Sequence, residues 1–150
     1  MRGIPFAILL IWLHLAWAGG LDLSLGVREG VADQFLPGVG LVFDLDPLVA
    51  RVGVCLGAPS GALVEAGLDY LLDAPLVNPY LGAGAALGLT AREGSGDYRL
   101  APGEVGYALL RLGVALPKRG YRPYLEAVRY LGPEPFTRLS MGFWLEVAGW

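Results

Sequence analysis

A chain of 150 residues, 55% hydrophobic and only 17% charged, has room for one domain and carries less charge than the roughly 25% of a typical soluble one. With a net charge of −3 and a single lysine, Lys118, it has no basic stripe to neutralise phosphates, so no nucleic-acid partner is expected. One cysteine, Cys55, excludes an intramolecular disulfide framework and a cysteine-rich metal site, and no cofactor or metal is expected.

Residues 1–18 have the order of a secretory signal peptide. Arg2 supplies a basic start, Phe6 to Leu15 an apolar run, and Ala16-Trp17-Ala18 a small-x-small cleavage site. The apolar run is shorter than the roughly 17–25 residues of a spanning helix. A mature domain over 19–150, outside the cytoplasm, is expected.

From Leu21 onward the chain alternates with a period of two, in segments separated by Gly, Pro and Asp clusters, and no stretch shows helical periodicity. The predicted strands are Leu21–Arg28, Val39–Asp46, Arg51–Ala58, Ala62–Asp73, Tyr80–Arg92, Gly106–Pro117, Arg122–Leu131 and Arg138–Trp150. The seventh alternates least cleanly and suggests a bulge. Short turns are expected after Asp46, after Asp73 and around Lys118–Gly120, with longer loops at Glu29–Gly38 and Glu93–Glu104. Hairpin-length connections give an antiparallel up-and-down meander, and eight strands suffice to close it into a barrel filled by its own side chains.

The content of the second face decides which way the first one looks. A soluble barrel needs a well-charged outside, yet the non-oily face is largely Gly and Ala with isolated charges. In this register Asp22, Arg28, Asp44, Asp46, Arg51, Glu65, Asp69, Asp73, Arg92, Arg111, Arg122, Glu126, Arg138 and Glu146 all fall there. The oily face carries only Arg129, near a strand end where its stem can snorkel. Small residues with a few charges suit the inside of a narrow barrel, so the oily face is expected to meet lipid. The segments also have about the 9–11 residues that a tilted strand needs to cross a bilayer. Tyr70, Tyr80, Tyr121 and Trp150, near the short-turn ends, are the candidate interfacial aromatics.

Two stretches, Pro79–Gly84 (PYLGAG) and Pro123–Ala127 (PYLEA), both follow short turns. With the terminal aromatic Trp150, they resemble the small eight-stranded outer-membrane barrels of the superfamily that includes OmpA, OmpX and OmpW. The resemblance implies an all-β, eight-stranded antiparallel transmembrane barrel in a bacterial outer membrane, with both termini periplasmic. It implies outer-membrane lipids as surroundings and the barrel-assembly machinery as partner during insertion. Trp150 departs from the family pattern, being out of phase with the odd-numbered oily face of its strand.

Interior charges are expected to pair across strands, with Arg51 opposite Asp69 and flanking the turn from Asp46, Arg111 opposite Glu126, and Arg122 opposite Glu146. Catalysis is not expected. The only histidine, His14, lies in the presumed signal peptide, so a His-activated serine or water is missing. The leading expectation is a scaffold that presents its loops, with a plugged interior. The alternatives are a narrow conduit for small or apolar solutes, favoured by the Gly-rich fifth strand, and a soluble lipocalin-like barrel with the oily face inward.

Overall fold

Alternating Leu and Val with small residues favours extended backbone, because each side chain then has a pleated neighbour on its own face. The computed structural model describes residues 19–29, 31–58, 61–94, 97–117 and 120–146, and every regular element among them is a strand. They are β1 (Gly19–Arg28), β2 (Val31–Leu45), β3 (Leu48–Ala58), β4 (Gly61–Leu71), β5 (Asn78–Gly94), β6 (Asp97–Ala115), β7 (Tyr121–Leu131) and β8 (Phe136–Glu146). The signal-peptide reading and Trp150 lie outside the described residues.

Each strand pairs antiparallel with the next, and β8 returns to β1 from Gly20↔Glu146 to Arg28↔Arg138. Closure leaves the barrel wall no free edge. The turns after β2, β4 and β6 form one rim, tied by Leu71 N–H to Pro47 O and Leu116 N–H to Pro123 O, both 2.9 Å. Gly19 and Glu146 sit on this short-turn rim, where the Glu146 amide donates to Gly120 O. The opposite rim carries the β1–β2, β3–β4, β5–β6 and β7–β8 connections.

Within the closed wall, the odd residues of β1, of β2 over 35–45, of β5 over 79–87, of β7 and of β8, and the even residues of β3 over 48–56, of β4 and of β6 over 106–114, face outward. Leu81 and Leu112 are each 64% exposed and Met141 is 61% exposed. This arrangement overturns the soluble barrel with its oily face inward.

Two expectations about connections fail. Most of 29–38 and 93–104 is strand, not loop. Beyond Leu89, β5 loses its β4 partner and pairs only with residues 97–102 of β6, up to Gly94↔Asp97. No wall strand flanks that two-stranded ribbon, and the apolar alternation of the sequence fades there while the backbone ladder persists. β7 has no bulge: its pairing with β6 and β8 runs without a register shift. Its irregular pattern comes from Pro123, Ala127 and Arg129 on the outward row.

Candidate functional site: a charged belt inside the barrel

The inward rows fill the barrel in three layers. Toward the hairpin rim, Leu36, Leu63, Leu109, Val128, Tyr107, Tyr130 and Phe136 pack together, with Tyr130 stacked on Phe136 at 4.2 Å. Toward the short-turn rim, Val42, Val49, Tyr80, Ala115, Tyr124 and Trp144 form a second layer. Trp144 lies 5.5 Å from Tyr80 and 5.3 Å from Tyr124, ring centre to ring centre. Between them lies a belt of three guanidiniums (Arg51, Arg111, Arg138) and four carboxylates (Asp22, Glu65, Asp69, Glu126), all buried.

Arg51 is the hub. It reaches Asp22 at 2.8 Å, Glu126 at 2.7 Å and Asp69 at 3.2 Å. Its guanidinium also sits over the rings of Tyr124 and Trp144, 5.2 and 5.4 Å from their centres. Arg138 joins Glu65 at 3.2 Å to Glu126 at 3.4 Å, and Arg111 bridges Glu65 and Asp69 at 3.5 Å each. Three tyrosine hydroxyls close the belt: Tyr124 donates to Asp22 at 2.6 Å, Tyr80 to Glu126 at 2.9 Å, and Tyr130 to Glu65. Isolated charges in so dry a place would be prohibitive, whereas multiply paired ones can nearly break even.

The glycines of the inner face are the floor on which these large groups lie. A Cβ on Gly113 would sit 2.3 Å from the Tyr80 ring, and one on Gly82 would overlap the Asp69 carboxylate at 1.7 Å. On Gly67 it would meet Arg111 Nη1 at 2.5 Å. The Gly-rich fifth strand therefore makes room for neighbouring side chains, which occupy it. A cavity of about 30 Å³ lies in the belt, lined by Asp22, Arg51, Cys55, Glu65, Arg111 and Arg138 among others. That is about one water. Cys55 is buried in the hairpin-side layer.

Several sequence expectations need correction. Every expected hairpin register is off by two residues: Arg51 faces Gly67, Arg111 faces Val128, and Arg122 faces Trp144. A shift of two preserves the faces, so Arg51 and Asp69 still meet diagonally across the β3–β4 pair. Arg111 turns instead to Glu65 and Asp69 on β4. Arg122 lies outside the belt, at the short-turn mouth, 3.6 Å from Asp44 and 3.9 Å from Glu146. Asp46 is exposed in the β2–β3 turn, where its amide donates to Asp44 at 3.3 Å. Arg122, Asp44 and Asp46 border an open mouth of about 400 Å³ with Asp73 and Asn78.

Tyr80 is not interfacial. It is 1% exposed and points inward, because it shares the even-numbered face of β5 with Gly82 and Gly84. Tyr70 and Tyr121 face outward near the short-turn rim at 50% and 41% exposure. Sequence reasoning left Asp22, Glu65, Arg138, Tyr124 and Tyr130 out of the candidate network. Their inward parity was readable. Their meeting was not, because it crosses the lumen between strands that are not neighbours.

A closed eight-stranded antiparallel barrel with an apolar outside and a charged, filled inside is the class of fold this geometry defines. Among solved structures, the N-terminal β-barrel domain of Pseudomonas aeruginosa OprF is similar at TM-score 0.66 and 13% identity, over 85% of this chain and 95% of that one. Neisserial surface protein A is similar at TM-score 0.60 and 14% identity, over 85% and 94%. The de novo designed TMB2.3 follows at TM-score 0.54 and 18% identity, over 86% and 94%. At such identities the likeness is one of fold. No family model and no curated protein sequence matches the chain.

Proposed function

We propose that the chain is an integral outer-membrane β-barrel with a structural or interaction role, a plugged interior, and both termini on the periplasmic side. The observation that carries this is the sorting of the wall. In its outward rows Arg129 is the one charged residue among those described, while the ionised groups of the body are folded inside and paired. A closed barrel is the only strand arrangement that satisfies every backbone group in lipid. Two of the solved structures it resembles, the OprF domain and Neisserial surface protein A, are outer-membrane barrels, which supports the same reading. Outer-membrane lipids are then its surroundings, and the barrel-assembly machinery its partner during insertion. The β5–β6 ribbon, not a pair of flexible loops, is the element offered beyond the membrane surface.

The filled belt favours a plug over a conduit. Passage of a solute would require displacing an aromatic layer at each end and separating the Arg51 and Arg138 ion pairs. A catalytic role has no support in the belt either, since each of its carboxylates is engaged by a guanidinium.

Membrane fractionation, electrophoresis of boiled and unboiled samples, and planar-bilayer recording together test the proposal. Outer-membrane recovery, a mobility shift on boiling and a silent bilayer are expected. Recovery in the soluble periplasm would overturn the membrane reading, and steady discrete openings would overturn the plug.

A further inference from the structure

The outward row of β7 runs Tyr121, Pro123, Leu125, Ala127, Arg129, Leu131, and it differs from its neighbours in bulk. The flanking rows of β6 and β8 present Leu112 and Val114 on one side, Leu139, Met141 and Phe143 on the other. The short side chains of Ala127 and Pro123 leave β7 as the floor of a trough between those walls. A hollow of about 740 Å³ lies over Ala127 and runs from Leu112 on β6 across Leu139 and Met141 on β8 to Leu25 and Val27 on β1. A second, of about 440 Å³, continues it toward the short-turn rim over Pro123.

At the hairpin end the trough terminates at Arg129, two residues above Ala127 on the same face. Arg129 is exposed, makes no ion pair among the described residues, and donates to Thr137 Oγ1 at 2.9 Å. Its remaining N–H groups are left for an anion. From Arg129 to Pro123 the strand rises roughly 20 Å, more than the roughly 15 Å depth of one leaflet's hydrocarbon. A guanidinium at the interface, heading an apolar trough one leaflet deep, matches the layout of a lipid with a phosphate headgroup.

We propose that this trough is a binding site for a phosphate-bearing membrane lipid, with the phosphate on Arg129 and Thr137 and one acyl chain laid over Ala127. The site rests on the reading of the barrel as bilayer-spanning. Guanidinium and phosphate are geometrically matched for paired hydrogen bonds, and Thr137 orients the Arg129 side chain toward the interface. Ala127 lets the chain approach β7 closely enough to contact both walls.

The test is lipid retention. The protein is folded into vesicles of the phosphate-free lipid digalactosyldiacylglycerol containing a minor fraction of lipid A, extracted in mild detergent, and its retained lipid A quantified by native mass spectrometry. Wild-type barrel is expected to keep lipid A, and Arg129→Gln to keep roughly tenfold less. Ala127→Phe, which fills the hollow and leaves the charge, is expected to lower retention as well. Arg122→Gln, at the mouth and away from the trough, serves as a charge control and is expected to retain lipid A like wild type. Equal retention by wild type and Arg129→Gln overturns the site, as does equal loss in Arg122→Gln, which would indicate a nonspecific charge effect. Folding is monitored in every sample by the mobility shift on boiling. A wild-type barrel that fails to enter vesicles at all overturns the spanning reading, and the site with it.

Discussion

Glu126 accepts hydrogen bonds from Arg51, Arg138, Tyr80 and Ser140, and its side chain has no solvent exposure. Removing it takes a carboxylate from two buried guanidiniums at once, leaving Arg51 to Asp22 and Asp69 and Arg138 to Glu65, and leaves the Tyr80 hydroxyl without its acceptor. Glu126→Ala is expected to lower unfolding free energy by about 3–5 kcal/mol, read from urea titration of the vesicle-folded protein. The glycines respond through space instead of charge. Gly113→Ala forces the Tyr80 ring aside and with it the hydroxyl that serves Glu126, costing about 1–3 kcal/mol by the same titration. Tyr80→Phe keeps the ring and removes the hydroxyl, so the double variant with Gly113→Ala is expected to cost less than the sum of the two single ones, because both lose the same hydrogen bond. Full additivity would mean that the clash leaves the hydroxyl in place.

Among the elements, depth decides what an outward position tolerates. Val52 lies mid-strand in β3 and Leu45 at the short-turn end of β2, 44% and 51% exposed. In a bilayer, Val52→Arg is expected to cost about 2–4 kcal/mol and Leu45→Arg about 0–1 kcal/mol. Equal costs in vesicles would contradict a spanning wall. The β5–β6 ribbon is energetically separate from the body, since its strands pair only with each other beyond Leu89. Replacing 91–100 with an Asn-Gly turn between Thr90 and Ala101, which face each other, is expected to change stability by less than about 0.5 kcal/mol.

For the whole molecule, three layers seal one lumen. Both aromatic layers and the belt would have to open before water crossed the lumen, and no single loss opens all three. Bilayer recordings of Glu126→Ala are therefore expected to stay silent while its stability falls. Appearance of steady openings in that variant would mean that the belt alone is the barrier.

The eight strands, their inward and outward faces and the closure of the sheet were legible in the sequence, because a strict period of two leaves no choice of face. Thus Arg51, Arg111 and Glu126 were assigned inward from parity alone, and a two-residue register shift did not move them. Tyr80 was readable in the same way and was misplaced by weighing its nearness to a turn above its parity. The extent of β5 and β6 was not legible, since a ribbon flanked by no wall strand need not carry the wall's alternation, and the early start of β2 was masked by Pro37 and Gly38 between Leu36 and Val39. Tertiary structure alone decided which charges meet. Arg51 with Asp22 and Glu126, and Arg138 with Glu65, depend on the lumen's width and the strands' stagger, and neither is encoded in the spacing along a single strand.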